Sequence, residues 1–299
     1  MSRRWIAIVN PAAGGGRCGK RAVNALAQLR AQGFDLEVLE TTAPGDATVF
    51  AREKSLSGHA QFLSVGGDGT SFEVLNGLLP QTEGREPPTL AILPLGTGNS
   101  FLRDFGITNA RAALDAFVRG RTEPCDALRI VHGNGVFHSI NIVGVGFSAE
   151  AGELTNRKYK HLGVPGYVVA VLRTARDLKA PQFPLRLDGG PLDDRPAIFV
   201  SFCNSRYTGG AMKMAPHADI ADGMLDVIRV GPRSRRSFLR SFPAIFTGRH
   251  IHQEGVETTR AQRVDFELDR AVFTIIDGEV MKLSLSSIEV MNRAIRVIS

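Results

Sequence analysis

The sequence predicts an N-terminal α/β domain followed by a C-terminal domain of antiparallel β-sheet. Two patterns lead to this fold class. Up to about residue 120, apolar strands alternate with helical segments, and beyond about residue 126 apolar and polar residues alternate with a period of two. A chain of 299 residues is also long enough to form two hydrophobic cores.

The N-terminal part contains four strand and helix pairs. Apolar strands are predicted at 5–9, 36–39, 62–65 and 89–93. Apolar residues at helical spacing predict the helices at about 20–32, 47–56, 71–79 and 109–119. Strands that alternate with helices in this way are typical of a parallel sheet with helices on both faces.

The C-terminal part shows the alternation expected of antiparallel strands with one solvated face. The alternating apolar residues are Phe183, Leu185 and Leu187, then Val264, Phe266 and Leu268, then Leu283 and Leu285. Turn signals at 188–191 and 277–278 separate these runs. We therefore expect domains at 1–127 and 128–287, with a last segment, 288–299, that returns to the first domain.

The composition indicates a globular protein with an anionic partner. The net charge of +6 suits a nucleic acid, an anionic membrane surface or phosphates. Aromatic residues make up only 7% and no recognition motif is visible, so we expect no nucleic-acid partner. The three cysteines form no C-x-x-C pair, which excludes a disulfide framework or a cysteine zinc site. No apolar run approaches the roughly 18 residues of a membrane span, and no signal-peptide pattern is present, so a cytoplasmic protein is expected.

Three glycine-rich loops follow predicted strands, at 10–16, 66–70 and 94–99. In an open α/β sheet, loops at the carboxyl ends of the strands lie together and form the ligand crevice. Glycine there lets backbone N–H groups approach phosphate oxygens, and the N-terminus of a following helix adds a favourable dipole. One such loop is explained by a tight turn, whereas three in consecutive units favour a phosphate-containing ligand. The P-loop motif G-x-x-x-x-G-K-[ST] is absent.

Six motifs occur in a defined order along the chain. The first three are Asn-Pro-x-x-Gly-Gly-Gly at 10–16, Gly-Gly-Asp-Gly-Thr at 66–70 and Pro-Leu-Gly-Thr-Gly-Asn-x-x-x-Arg at 94–103. The others are Asn-x-x-Gly-x-Gly-Phe at 141–147, Ala-Pro-x-Ala-x-x-x-Asp-Gly-x-Leu-Asp at 215–226 and Asp-Gly-Glu at 277–279. Together they resemble the diacylglycerol kinase catalytic-domain family, which includes bacterial lipid kinases and the sphingosine and ceramide kinases. The Gly-Gly-Asp-Gly-Thr motif alone is shared with NAD kinases and phosphofructokinase-like enzymes.

The resemblance implies a fold and a reaction. The fold is an α/β nucleotide-binding domain like those of phosphofructokinase and NAD kinase, with a C-terminal antiparallel β-sandwich. The reaction is the Mg²⁺-dependent transfer of the ATP γ-phosphoryl group to a hydroxyl of a membrane lipid, of the diacylglycerol or sphingoid type. A small-molecule kinase like NAD kinase and a non-catalytic nucleotide-binding regulator stay open as alternatives.

The same resemblance assigns residues to the nucleotide. The implied ATP-binding residues are Asn10, Thr41, Gly66, Gly67, Asp68, Gly69, Thr70, Ser71, Phe72, Gly96, Thr97, Asn99 and Arg103. Thr41 fits the family spacing better than Thr42. A surface salt bridge is the alternative role for Arg103.

Asp68 and Glu279 are the candidate catalytic residues. A carboxylate in a loop aimed at phosphates would be repelled unless a Mg²⁺ lies between, so Asp68 is expected to handle magnesium or to activate the hydroxyl. Its alternative is a helix N-cap. The resemblance makes Glu279 the acceptor of the lipid hydroxyl's proton, whereas the residues alone indicate a hairpin turn. Which of the two is the base stays open.

A second magnesium site is implied at 219–224. Carried over from the resembling bacterial enzymes, its ligands are Asp219, Asp222 and Met224, with Asp222 supplying the side chain. A polar turn is the alternative. Asp126 matches a polar position near the metal and the phosphates, with a surface salt bridge as the alternative.

Two further segments bear on the lipid. Residues 233–250 mix basic and apolar side chains, as in a segment that docks on an anionic membrane surface, although a core helix with one basic face has the same composition. Residues 164–178 are apolar and are candidates to line the acceptor pocket. The expected partners are ATP and a lipid at an anionic membrane surface, with peripheral association. A homodimer and the identity of the lipid stay open.

Overall fold

The computed structural model describes residues 4–81, 84–96, 99–159, 162 and 164–299. The chain divides into two compact units. Unit 1 comprises Met1–Cys125 and Arg293–Ser299, and unit 2 comprises Asp126–Asn292. The expected domain limits, which differ from these by a few residues, stay a prediction.

Unit 1 is an α/β unit. Its elements are β1 (Trp5–Val9), α1 (Cys18–Ala31), β2 (Leu36–Glu40), α2 (Asp46–Leu56), β3 (Gln61–Gly66), α3 (Asp68–Leu78), β4 (Thr89–Pro94) and α4 (Ala110–Arg119). Short 3₁₀ turns follow at Leu79–Gln81 and Phe101–Phe105. The strand β5 (Thr122–His132) begins in unit 1 and continues into unit 2.

The strands of unit 1 form a parallel sheet in the order β2-β1-β3-β4. The end of the last strand of the chain pairs parallel to β4, with Arg296 opposite Thr89. Alternate residues of the buried strands face opposite sides. On one side Ala7 and Leu63 pack with α1 and α4. On the other, the hydroxyl of Ser64 lies 3.1 Å from that of Ser71 on α3, so helices cover both faces.

The described part of unit 2 consists mainly of β-strands with three α-helices. Its elements are β6 (Gly135–Ser139), β7 (Ile142–Gly146), α5 (Phe147–Leu154), α6 (Val164–Thr174), β8 (Leu185–Leu187), β9 (Phe199–Cys203), β10 (Tyr207–Thr208), β11 (Met212–Lys213), β12 (Leu225–Val230), α7 (Arg235–Ser241), β13 (Val256–Ala261), β14 (Arg263–Phe266), β15 (Val272–Ile276), β16 (Glu279–Leu283) and β17 (Leu285–Ile298). Strand β17 begins in unit 2 and ends in unit 1. A π-helical turn spans Thr155–Tyr159, and 3₁₀ turns span Ala175–Asp177, Phe242–Phe246 and Arg249–His252.

Antiparallel pairing builds unit 2, which includes the short pairs β5–β6 and β10–β11. A six-stranded sheet has the order β13-β12-β9-β7-β15-β16, and a second group pairs β14 with β8 and with the first half of β17. Phe202 of β9 meets Phe266 of β14 edge to face, with ring centroids 5.5 Å apart. The other side of the six-stranded sheet packs against α5, α6 and α7 through Phe147, Val171 and Phe238.

The predicted fold class is confirmed: an N-terminal α/β unit is followed by antiparallel sheet. The predicted strand at 5–9 matches β1 residue for residue. Helix α3 begins at Asp68, three residues before the predicted start, because the glycine-rich motif itself enters the helix. Helices α5 and α6 of unit 2 were not predicted as helices, whereas a core helix was one of the two interpretations of the segment that contains α7. Among the described residues, no helix combines the length and apolarity that a membrane span requires.

Candidate active site

The three glycine loops of unit 1 lie together at the carboxyl ends of β1, β3 and β4. The backbone N–H groups of Leu95 and Gly96 both donate to the carbonyl of Gly66, at 2.8 and 2.7 Å. The N–H of Asn10 donates to the carbonyl of Val65 at 3.0 Å. Because these bonds join neighbouring loops directly, the loops form one continuous backbone surface.

Gly96 and Gly14 in this surface have no room for a side chain. A Cβ atom on Gly96 would lie 2.6 Å from the Cα of Gly67. At Gly14, where φ is +62°, a Cβ would lie 2.8 Å from the carbonyl oxygen of Leu95. The glycines are therefore required for the loops to approach one another, and their exposed backbone is suited to a phosphate ligand.

Asn10 joins the first loop to helix α3. Its side-chain N–H₂ donates to the hydroxyl of Thr70 at 3.2 Å, and its side-chain oxygen accepts the N–H of Ala12 at 3.1 Å. Thr70 and Ser71 are buried. Asn10 and Thr70, both predicted to bind the nucleotide, therefore also hold the first loop against helix α3.

Asp68 is the first residue of α3, and the residue before it, Gly67, is the N-cap with an extended backbone. The alternative of an N-cap role for Asp68 is therefore wrong. The partly exposed Asp68 carboxylate lies at the end of the helix where backbone N–H groups and the helix dipole favour anions. A phosphate and a carboxylate at this position require a cation between them, which fits an oxygen ligand of Mg²⁺.

The loop after β2 is held by Asp46. Its carboxylate accepts the N–H groups of Thr42 and Ala43 at 2.7 and 2.8 Å and the Thr42 hydroxyl at 2.9 Å. The two backbone donors of Thr42 and Ala43 hold the pKa of Asp46 below its usual range. The Thr41 N–H donates to the carbonyl of Val9 at 2.9 Å. Thr41 therefore lies beside the end of β1, and the hydroxyl of Thr42 is engaged within its own loop.

The loop after β4 contains a buried acceptor without a partner. The side-chain N–H₂ of Asn99 donates to the Gly96 carbonyl at 3.2 Å, while its Oδ1 is buried and unpaired within the described part of the chain. A hydroxyl or water donor of a ligand would satisfy this oxygen. Arg103 lies on the following 3₁₀ turn and Phe72 is buried on α3. The predicted nucleotide residue Thr97 lies outside the described residues.

In unit 2, Glu279 begins β16 directly after a two-residue turn, Asp277-Gly278, where φ is 49° and 94°. Ile276 and Glu279 face each other across the hairpin. The predicted hairpin turn is thus present, and Glu279 is half-buried beside it. The Asp277 carboxylate is buried and accepts four hydrogen bonds from residues 139–142. Burial raises the pKa of Asp277 to about 6, against the lowering effect of these donors.

Asp126 is fully buried, which excludes a surface salt bridge. It holds the predicted metal loop from two sides. Its N–H donates to the carbonyl of Ile220 at 2.6 Å, and its Oδ2 accepts the N–H of Gly223 at 2.7 Å. Asn204, also fully buried, donates to the Asp126 carbonyl at 3.0 Å.

The carboxylate oxygens of the loop at 219–224 already have partners within the protein. The Asp219 carboxylate accepts the N–H of Ala221 at 3.0 Å, and the Asp222 carboxylate accepts the N–H of Met224 at 2.9 Å. The second oxygen of Asp222 pairs with Arg260. An all-oxygen donor set suits Mg²⁺, but the guanidinium of Arg260 would have to share or leave Asp222. No group of three or more His, Cys, Asp or Glu side chains that could hold a metal is present in the described ranges.

An apolar cavity of about 50 Å³ lies between the six-stranded sheet and the helices of unit 2. Its apolar lining includes Phe147, Phe199, Met212, Met214, Phe238 and Phe242. Three polar atoms in the lining are buried without a hydrogen-bond partner in the described part of the chain. They are the two ring nitrogens of His250 and the hydroxyl oxygen of Ser148. The Met214 backbone lies near the His250 ring but outside hydrogen-bond geometry.

The basic segment at 233–250 is a helix followed by two 3₁₀ turns. Phe238 and Ile245 are buried in the core of unit 2, which matches the core-helix interpretation of its apolar residues. Arg235, Arg236 and Arg240 are exposed. The sequence predicted no role for Arg17, Asn204 and Arg260, which hold the loops of the candidate sites. Arg17 donates to the Gly14 carbonyl at 2.8 Å, Asn204 donates to the Asp126 carbonyl, and Arg260 pairs with Asp222. No spacing rule identifies Asn204 and Arg260, because their partners are set by tertiary packing.

Two family models cover most of the chain. The diacylglycerol kinase catalytic domain matches residues 4–130, and the YegS C-terminal NAD kinase beta sandwich-like domain matches residues 141–299. The diacylglycerol kinase of Mycobacterium tuberculosis is 34% identical over 264 residues, which are 87% of this chain and 84% of the relative. The diacylglycerol kinase of Bacillus subtilis (strain 168) is 31% identical over 283 residues, 93% of this chain and 90% of the relative.

Solved structures agree with the sequence comparison. A crystal structure from Bacillus anthracis str. Sterne superposes with a TM-score of 0.80 at 29% identity, covering 99% of this chain and 95% of the other. A crystal structure of a diacylglycerol kinase from the same organism gives a TM-score of 0.73 at 25% identity, covering 99% and 96%. The chain therefore belongs to the diacylglycerol kinase family of lipid kinases.

Proposed function

We propose that this kinase transfers the γ-phosphoryl group of ATP to a hydroxyl group of a membrane lipid, with diacylglycerol or a related glycerolipid as the acceptor. The relatives from M. tuberculosis and B. subtilis bear the name diacylglycerol kinase, which favours a glycerolipid over a sphingoid lipid. The acceptor half of the proposal also draws on the apolar cavity of unit 2.

The glycine loops of unit 1 are the proposed ATP site. Backbone N–H groups at 66–69 would bind phosphate oxygens, and the N-terminus of α3 would add its dipole. The unpaired Oδ1 of Asn99 is a further acceptor for the nucleotide or its water. Asp68 would hold Mg²⁺, which when bound neutralises charge on the phosphate oxygens.

Glu279 is the proposed acceptor of the hydroxyl proton. As the lipid oxygen bonds to the γ-phosphorus of ATP, the bond from that phosphorus to the β-phosphate oxygen breaks and ADP leaves. The proton of the lipid hydroxyl moves to the Glu279 carboxylate. Asp68 is the alternative base, but its place at the helix N-terminus favours the metal role.

The apolar cavity of unit 2 is the proposed site for an acyl chain. Its Phe and Met side chains would remove the chain from water. Burying His250 and Ser148 without partners is unfavourable, and an ester carbonyl or hydroxyl of the lipid would satisfy them. A water-soluble acceptor has no apolar chain to occupy this cavity.

Peripheral association with an anionic membrane surface is also part of the proposal. Arg235, Arg236 and Arg240 on α7 are exposed. On α6, which is apolar on most sides, Val169 and Leu172 are 37% and 48% exposed. Basic residues near apolar ones are suited to anionic headgroups and the acyl boundary beneath them.

The single observation that carries the proposal is that one chain holds both a glycine cradle for phosphates and an apolar cavity with unpaired polar groups. The test is a transfer assay with γ-labelled ATP and Mg²⁺ in mixed micelles. The acceptors are dioleoylglycerol, ceramide, sphingosine and, as a soluble acceptor, NAD. Label in the glycerolipid supports the proposal. Label in NAD alone would establish the NAD kinase-like alternative, and ATP binding without transfer to any acceptor would favour a regulator.

A further inference from the structure

The turn before Glu279 is held more firmly than a hairpin requires. A two-residue turn with positive φ at both positions needs only small or polar residues such as Asn and Gly. Asp277 meets that need at φ 49°, yet its side chain is 7% exposed. Burying a carboxylate is costly unless it is well paired, so its partners call for a separate explanation.

Four donors converge on this carboxylate from one distant segment. Asp277 Oδ1 accepts the Ser139 hydroxyl at 2.5 Å and the N–H groups of Asn141 and Ile142 at 3.2 and 3.1 Å. Its Oδ2 accepts the N–H of Ile140 at 3.1 Å. The backbone N–H of Asp277 also donates to the Ile142 carbonyl at 3.0 Å. The turn is thus tied to the start of β7 by five bonds.

Residues 139–142, which donate to the Asp277 carboxylate, are themselves held in place by Asn204. Asn204 donates from its side chain to the carbonyls of Ile140 and Asp126, at 2.8 and 3.0 Å, and from its backbone to the Asn141 carbonyl at 2.9 Å. On the opposite side of the turn, the Asn156 side chain donates to the Gly278 carbonyl at 3.0 Å. Both residues that precede Glu279 are therefore anchored.

We propose that Asp277 is a positioning residue that acts through Glu279, by fixing the hairpin end from which the Glu279 side chain extends. The inference rests on the proposed function, in which Glu279 accepts the proton of the lipid hydroxyl. Glu279 is two residues away, with only Gly278 between, so any loosening of the turn moves its backbone directly. Misplacement of a reacting group by about 1 Å can cost on the order of 10²-fold in rate.

The test is a double-mutant comparison of Asp277→Asn and Glu279→Gln. Asn keeps the shape and the tolerance for positive φ but cannot accept all four donors. We expect Asp277→Asn to lower kcat by roughly 10- to 100-fold with the KM for ATP unchanged. In the Glu279→Gln background, the same substitution should cause no further loss of kcat, because the group that Asp277 positions is already absent.

Asp188→Asn is a matched control. Asp188 also has φ 49° and precedes a glycine in a turn, and its carboxylate accepts the N–H groups of Gln262 and Arg263 at 2.9 and 2.8 Å. No candidate catalytic residue follows it, so its kcat should stay near that of the wild type. If Asp277→Asn does not fold, Ser139→Ala removes one donor without altering the turn and should show the same non-additivity with Glu279→Gln.

Two results would overturn the inference. One is an unchanged kcat in a folded Asp277→Asn or Ser139→Ala protein. The other is a loss that multiplies fully with the loss in Glu279→Gln, since this would mean that Asp277 acts independently of Glu279. A failure of the proposed function is distinguishable, because Glu279→Gln alone would then retain wild-type transfer.

Discussion

Asp68 occupies the first position of α3, with Gly67 as its N-cap and a partly exposed carboxylate. Its carboxylate is neither the N-cap nor buried, and the dipole of α3 favours negative charge at this end. A carboxylate at the phosphate-binding end of a helix is useful when it holds a cation against those phosphates. At the scale of single residues, the proposed chemistry therefore depends first on the charge of Asp68.

Asp68→Asn should lower kcat by about 10²- to 10⁴-fold, because the shape is kept while metal or proton handling is lost. The melting temperature should stay close to that of the wild type. Steady-state kinetics and circular dichroism check both statements, with the exposed Asp115→Asn on α4 as the control. Near-normal turnover in a folded Asp68→Asn protein would remove Asp68 from the active site.

At the scale of elements, the loop at 219–224 combines a buried anchor with an exposed ion pair. Asp126 holds the loop at Ile220 and Gly223, so its backbone is fixed without a metal. Burial raises the pKa of the neighbouring Asp226, whereas Arg260 lowers it. Arg260 therefore supplies part of the positive charge that a cation at Asp222 would supply.

Mg²⁺ should raise the melting temperature of the wild-type protein relative to EDTA, because only the folded state presents the site. Asp222→Ala should abolish this response. Arg260→Gln should enlarge it, since the guanidinium no longer competes for the Asp222 carboxylate. Thermal denaturation of the three proteins in millimolar Mg²⁺ and in EDTA measures the effect. Identical responses in all three would exclude Asp222 as a ligand.

The basic face of α7 is the second element with a testable role. Vesicle binding should rise with anionic lipid content and weaken with salt, because exposed charges are screened within about 10 Å at 0.1 M. Arg235→Ser, Arg236→Ser and Arg240→Ser together should reduce binding in a vesicle sedimentation assay. A triple substitution of the exposed Arg111, Arg119 and Arg121 serves as the charge-matched control. Equal binding to neutral and anionic vesicles would contradict a membrane role for α7.

At the scale of the whole molecule, two buried histidines connect stability to pH. Burial lowers the pKa of His138 to about 4, assisted by repulsion from Arg129, and burial lowers that of His250 to about 4. In the unfolded chain a histidine titrates near pH 6.5. Between these values the unfolded state binds more protons, so stability is fully present above pH 6.5 and falls as the pH drops toward 4.

His250→Gln should therefore reduce the loss of unfolding free energy between pH 6.5 and pH 4, by at most roughly 3 kcal/mol. The slope against pH is the diagnostic quantity, because the substitution also changes the absolute stability. Chemical denaturation across this range measures it, with His59→Gln as the control. Equal slopes in the wild type and in His250→Gln would show that His250 binds protons equally in the folded and unfolded states, which contradicts the lowered pKa.

The sequence predicted what is local in this molecule. The strand at 62–65 and its glycine turn follow from an apolar run that meets glycines, and both are present as β3 and the start of α3. Helix α6 escaped prediction because Val164–Thr174 is apolar on most faces and contains Pro165 and Gly166, so no amphipathic period marks it. The hydrogen bonds from residues 139–142 to the Asp277 carboxylate could not be predicted from the sequence, because the partners lie more than 130 positions apart.

Lipid phosphorylation by this chain is measured as transfer of label from γ-labelled ATP to dioleoylglycerol by wild type, Asp68→Asn and Glu279→Gln. Product is separated as phospholipid, and ATP binding is measured in parallel. We predict labelled phosphatidic acid from the wild type and a loss of at least about 10²-fold in both variants, with ATP binding retained in Glu279→Gln. Wild-type rates of lipid phosphorylation in both variants, or no lipid product from a wild-type protein that binds ATP, would contradict the account.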